Sequence, residues 1–280
     1  PGFIERAEGC YAYDVDGNRF LDWGMGLRTV ILGYCYPTVL RAVEAQLQKG
    51  SNFTLPAAIE GDLAEQLVDL VPSAEMVKFA KNGSDVTSAA VRLSRAYTNR
   101  DYIACCGDGS FFSGNDWFIG LTACDAGIPK STKELTLPFS YNNLASLEAV
   151  FNRYPEEIAA VILEPVLTVP PVQGYLEGVR ELTRRHGAVL IFDEMITGFR
   201  WHVRGAQTYF NVTPDLSTFG KAIGNGFSVS ALVGRRDIMD LGGLYHDKEK
   251  VFLLSLTHGG ETHSIAAAIA TINELRDKDV

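Results

Sequence analysis

The chain has 280 residues, 46% of them hydrophobic and 21% charged, with a net charge of −9; that length suits one large α/β domain with appendages rather than a single small core. No apolar run is long enough to cross a bilayer, and no cluster of Lys and Arg is long enough to follow a phosphate backbone, so neither a membrane span nor a nucleic-acid partner is expected. Residues Pro1 to Glu8 lack the basic start and apolar stretch of a secretory signal, which makes the cytoplasm the default location. Five cysteines (Cys10, Cys35, Cys105, Cys106 and Cys124) show no paired metal-ligand spacing and read as reduced, mostly buried thiols.

The chain opens with alternating runs at Cys10 to Asp14 and Arg19 to Asp22, separated by Val15-Asp16-Gly17-Asn18. Asp-Gly between such runs predicts a hairpin. Amphipathic spacing then predicts helices from Pro37 to Gly50 and from Ile59 to Val71. From Met76 short apolar runs alternate with helical patterns, as a mostly parallel sheet with crossover helices requires. The expected strands are Met76 to Ala80, Tyr102 to Cys106, Ile158 to Leu163, Val189 to Phe192, Leu216 to Phe219 and Ser230 to Val233. The expected helices are Val86 to Thr98, Leu144 to Tyr154, Gly178 to His186, Asp237 to Leu241 and His263 to Arg276. The fold class is therefore α/β, with a mostly parallel central sheet, helices on both faces and a small N-terminal β element. Residues 1–50 read as a hairpin-and-helix segment and residues 51–280 as the large domain. The chain stops at Asp277-Lys278-Asp279-Val280, directly after a helical pattern, and the expectation is a fragment without a further C-terminal domain.

In open sheets of this kind ligands sit beyond the carboxyl ends of the strands, so the polar residues just after each strand are the candidates. After Met76 to Ala80 comes Asn82-Gly83-Ser84-Asp85, leading into a helix. Backbone N–H groups and a hydroxyl at a helix start suit one phosphate, although Ser84 or Asp85 as a simple N-cap explains the same residues. The run Val189 to Phe192 ends in Asp193-Glu194-Met195. A carboxylate there can keep a heterocyclic nitrogen protonated; a paired-acid metal site and a capping aspartate are the other readings. The strand at Leu216 ends in Gly220-Lys221, followed by Gly224 and Gly226. A lysine at that place either escapes to water or exists as a depressed-pKa amine or an imine.

Together these segments resemble the class III (ω-type) aminotransferases, pyridoxal-phosphate (PLP) enzymes of fold type I. Asp193-Glu194-Met195-Ile196-Thr197-Gly198-Phe199-Arg200 is similar to the family's Asp-Glu segment and Phe219-Gly220-Lys221-Ala222-Ile223-Gly224-Asn225-Gly226 to its lysine segment, 28 positions on (221 − 193). The resemblance covers nearly the whole chain. It implies that Lys221 forms the Schiff base with the cofactor, Asp193 pairs with the pyridinium nitrogen, Met195 packs on the ring, and Gly83 and Ser84 bind the phosphate. Phe111 stands where the family has a stacking tyrosine, and Phe112 replaces the histidine that follows, so either ring is a candidate for the stack. Thr257, in Leu256-Thr257-His258-Gly259-Gly260-Glu261-Thr262-His263, resembles the threonine that reaches the phosphate across a dimer interface, but Glu261-Thr262 replaces the usual Asn-Pro. Thr257 as a helix-entry hydroxyl and Phe111 as a core aromatic are the competing readings.

Arg28, after Trp23-Gly24-Met25-Gly26, lies where relatives contact substrate and is a candidate for a bidentate grip on a carboxylate, or else a solvated arginine. Glu164-Pro165 matches a family pair read as structural. The implied activity is amino-group transfer between a small-molecule amine donor and a carbonyl acceptor by a homodimer without a metal. Within the family the segment Ser94 to Arg100 resembles glutamate-1-semialdehyde aminomutases, an alternative to a plain aminotransferase. An inactive fragment or structural relative is a further reading. A dinucleotide-binding oxidoreductase is disfavoured because the glycine fingerprint after a first strand is absent.

Overall fold

A computed structural model describes residues 2–251 and 256–278. Three short strands, β1 (Ile4–Glu8), β2 (Tyr11–Asp14) and β3 (Arg19–Leu21), form an antiparallel N-terminal sheet. The expected hairpin is its β2–β3 pair, with Tyr13 opposite Arg19 and Tyr11 opposite Leu21. The Asp14 carboxylate accepts the N–H groups of Asp16 and Asn18, and Gly17 takes the left-handed conformation that the Asp-Gly signal demands. β1 had no counterpart in the sequence reading: Ile-Glu-Arg-Ala-Glu offers little apolar alternation, and the strand is mostly exposed.

The central sheet has seven strands. They are β4 (Met76–Ala80), β5 (Tyr102–Cys106), β6 (Thr136–Phe139), β7 (Ile158–Leu163), β8 (Val189–Asp193), β9 (Leu216–Phe219) and β10 (Ser230–Gly234), in the order β4-β10-β9-β8-β7-β5-β6. Pairings through β6-β5-β7-β8-β9 are parallel, while β10 runs antiparallel to both β9 and β4. All six side chains of β7 are buried, as a strand covered on both faces requires.

Alternation along the strands feeds two cores. On β10, Leu232 joins the cluster made with Val86, Leu93, Leu147 and Val179, whereas Ala231 and Val233 join Leu63, Leu67, Ile265 and Ile272 on the other face. The first cluster is roofed by the helices Gly83–Thr98, Leu144–Arg153 and Tyr175–His186, the second by Ala58–Leu70 and Thr262–Asp277. Helices thus cover both faces, as expected. The helix Pro37–Leu47 packs Val39 and Val43 against Ala267 and Ala270 of the last helix, where small side chains permit close approach.

Two local expectations need correction. Asp237 to Leu241 is not one helix: a short turn of helix at Arg236–Met239 passes into a 3₁₀ turn at Asp240–Gly242. Cys105 and Cys106 are buried on β5, but Cys10, Cys35 and Cys124 are exposed, because they lie at turns and loops rather than on a strand facing a core.

Candidate active site

β9 delivers its chain through Gly220 to Lys221, which opens a 3₁₀ turn, Lys221–Gly224. Glycine is required at 220 by packing: a Cβ there would meet the Met195 methyl at 2.2 Å. Lys221 itself holds φ +47°, a left-handed conformation that costs an L-residue on the order of 1 kcal/mol. Asn225 closes the turn and ties it to the N-terminal segment, accepting the Leu32 N–H at 2.9 Å and donating to the Gly33 carbonyl at 3.1 Å. Burial lowers the Lys221 pKa; Asp193 and Glu164 oppose that shift, and Arg200 and Arg28 add to it.

Asp193 ends β8 and is 1% exposed. Its Oδ1 accepts both the Met195 N–H at 3.0 Å and the hydroxyl of Thr218, its neighbour on β9, at 2.9 Å. Oδ2 is left for a donor in the depression. Burial pushes this carboxyl up to about 6, against the pull of the Met195 N–H, Lys221 and Thr218. Glu194 is committed elsewhere: it accepts the N–H groups of Ala206 and Gln207, the Gln207 amide and the Thr197 hydroxyl. The adjacent acids therefore do not form a paired-acid metal site.

At the other end stands the start of the helix Gly83–Thr98. Its cap is Asn82, not Ser84 or Asp85: Asp85 reaches back to accept the Asn82 N–H at 3.0 Å. The first-turn N–H groups of Gly83 and Ser84 are left without helical partners, and the Ser84 hydroxyl accepts the Gly114 N–H at 2.8 Å while retaining its own proton to donate. Gly83, like Gly220, lies against Met195, whose methyl a Cβ at 83 would meet at 3.0 Å.

These segments enclose a depression of about 350 Å³ lined by Gly83, Ser84, Phe111, Phe112, Asp193, Met195 and Lys221, with Thr29, Lys81, Asn82 and Gly226 to Val229 completing the wall. Both rings meet Phe118 edge-on, but Phe111 is 64% exposed whereas Phe112 is 2% exposed. Of the two candidates for stacking, Phe111 has the free face.

Thr257 and Arg28 are not among the lining residues. Thr257 is exposed in a separate cleft with Asn52, Phe53, Leu55 and Glu60, its carbonyl held by the Asn52 amide. Arg28 is exposed with φ +67°, and its carbonyl accepts a hydrogen bond from Arg200. Its charge still bears on Glu164, Lys221 and Arg200.

Sequence reasoning passed over Thr218 and Lys81, and read Glu164 as structural. Glu164 follows β7 as Lys81 follows β4, so the strand-end rule pointed at both. Burial, aided by Asp193, pushes the Glu164 carboxyl up to about 7, while Lys221 and Arg28 pull it down. Thr218 had no such signal, since its role follows from the register of β9 on β8.

A family model described as aminotransferase class-III matches residues 1–280. A curated glutamate-1-semialdehyde 2,1-aminomutase from Syntrophobacter fumaroxidans is 40% identical over all of this chain, which spans 66% of that relative's length. Among solved structures, an omega-transaminase from Sphaerobacter thermophilus superposes with a TM-score of 0.91 at 29% identity, over 98% of this chain and 66% of that one. A transaminase with PLP bound gives 0.90 at 26% identity, over 98% of this chain and 67% of its own. With a family model that spans the whole sequence, the chain belongs to the class-III aminotransferases.

Proposed function

We propose that this chain is the PLP-binding part of an aminotransferase, with Lys221 holding the cofactor and moving the substrate proton. The observation that carries the reading is the Asp193 carboxylate, buried with one oxygen bonded twice, the other without a hydrogen bond among the described residues, and lining the depression that Lys221 also lines. Such a group fits a protonated ring nitrogen, the first turn at Gly83 and Ser84 fits a phosphate monoester, and the exposed Phe111 ring and the Met195 thioether fit the faces of a flat heterocycle. The pyridine ring, when bound, withdraws electrons from the substrate carbon that loses its proton.

The chain's own residues account for the rest. Burial favours the neutral amine of Lys221, the form that attacks a carbonyl and then accepts a proton. Asp193 stays ionised once a cation faces it, and Thr218 and the Met195 N–H hold it in place. Glu164, close in charge to both Asp193 and Lys221, is available to hold a proton near neutral pH. Arg28 is assigned to a substrate carboxylate at the rim. Thr257, which lines a separate cleft, is assigned to the phosphate of a second copy's site in a homodimer. The exposed Phe53 and Leu55 beside it support an interface there.

The aminomutase relatives favour a second reading, rearrangement of one substrate without release of a carbonyl product. One experiment separates the two. Protein loaded with cofactor is mixed with an excess of candidate amines, and carbonyl product is measured per site in a single turnover. About one equivalent released without a second substrate is expected for transfer; an isomerised amine with no carbonyl in solution would establish the mutase, and neither product with any amine would contradict both.

A further inference from the structure

Lys81 and Lys221 are the two cationic side chains among the described residues lining the depression. On the reading above Lys221 is committed to the cofactor's carbonyl, which leaves the phosphate end with Lys81 as its cation. Lys81 immediately precedes the Asn82 cap and the Gly83 and Ser84 first turn. Its backbone is fixed on that side by the Ser228 hydroxyl, which donates to the Lys81 carbonyl at 3.0 Å.

Its ammonium is already paired. Lys81 Nζ lies 2.5 Å from Glu261 Oε2 and donates to the Ser264 hydroxyl at 3.3 Å, and both members of the pair keep 18% of their side-chain surface. Glu261 also receives His258 Nδ1 at 2.9 Å and faces His263 Nε2 at 3.6 Å, while His263 Nδ1 meets the Ser51 hydroxyl at 2.7 Å. This acid occupies the Glu261-Thr262 position at which the sequence departs from the Asn-Pro of the resembled segment. A phosphate dianion at the helix start would draw on the Lys81 charge and be repelled by that of Glu261.

We propose that Lys81 is a further phosphate-binding residue of the site, with Glu261 as the counter-ion that moderates its grip. The assignment rests on the cofactor reading above. It makes a prediction that a purely structural ion pair does not: removing the cation and removing the anion change phosphate affinity in opposite directions, whereas breaking a structural pair from either side loosens the same loop.

The test is absorbance titration of the protein with pyridoxal 5′-phosphate and, in parallel, with pyridoxal, which lacks the phosphate. Lys81→Met should weaken the phosphate ester roughly tenfold and Glu261→Gln should tighten it about threefold, with both differences shrinking as salt is added. Lys81→Arg, which keeps the charge, should stay near wild type, and pyridoxal binding should be unmoved in all three. Thermal melting without ligand identifies any variant that has lost its fold, and Lys81→Gln then replaces Lys81→Met in the comparison. Weaker binding in both Lys81→Met and Glu261→Gln, or equal shifts for the two ligands, would overturn the Lys81 assignment alone. A wild-type protein that takes up neither compound would overturn the reading of the depression, and the Lys81 assignment with it.

Discussion

Asp193 keeps a proton at a pH where an ordinary aspartate has lost it. Burial raises its pKa from 3.8 to about 6, so the folded chain holds a proton in that window that the unfolded chain has released. The stability associated with that proton is present below the unfolded value and is lost as pH rises through the folded one. In cofactor-free protein Asp193→Asn should therefore change little below about pH 4 and stabilise by on the order of 2 kcal/mol above about pH 7. Urea unfolding at the two pH values measures this, and destabilisation at both would mean that the bonds from Met195 and Thr218 outweigh burial. The same variant should retain cofactor poorly, since an amide does not stabilise a ring cation. At this scale the sequence was informative wherever a polar residue closes a strand, as at Asp193 and Lys221. It was silent on Thr218, whose importance depends on which strand lies beside which.

Glu194 organises a whole segment. Through Gln207 it reaches the Ser217 hydroxyl at 3.1 Å, and Ser217 meets Ser73 at 3.0 Å. The Ser73 N–H in turn donates to the Gln207 side-chain Oε1 at 3.0 Å. This buried network joins the loop after β8 to β9 and to the approach to β4, so it holds the peptide that carries Asp193 and Met195. Glu194→Ala would strand the Ala206 and Gln207 N–H groups and leave the Gln207 amide only its Ser217 bond, and should cost about 3 kcal/mol in denaturant unfolding. A loss under about 1 kcal/mol would show that water satisfies the donors instead. Asp215 makes a comparable junction on the other side of the sheet, paired with Arg180 at 2.6 Å and Arg235 at 2.9 Å and accepting the Leu190 N–H.

Six of the central strands were legible because each is a short apolar run bounded by turn residues. β6 was not, because Thr-Leu-Pro-Phe carries a proline that argues against a strand. The structure accommodates Pro138 by placing β6 at the edge of the sheet, beside β5 alone. The antiparallel course of β10 was equally invisible, since its apolar pattern is that of a parallel strand buried on both faces.

For the whole molecule, the proposed site draws on two copies of the chain. Phe53 and Leu55 keep 50% and 76% of their surface beside Thr257, and Trp23 and Leu27 keep 84% and 85%, more apolar exposure than a solitary chain gains from. Light scattering should give twice the chain mass, and Thr257→Ala should leave that mass unchanged while weakening cofactor binding by about tenfold, the loss of one hydrogen bond to a charged group. A monomer that binds cofactor fully would contradict the shared site.

The central claim, that Lys221 is the cofactor's anchor, is tested most directly by borohydride reduction of the protein loaded with pyridoxal 5′-phosphate, followed by peptide mapping. The account predicts a reduced pyridoxyl group on Lys221, a visible absorbance band that reduction abolishes, and neither of these in Lys221→Ala. Label on Lys81 or on surface lysines with Lys221 unmodified would contradict it.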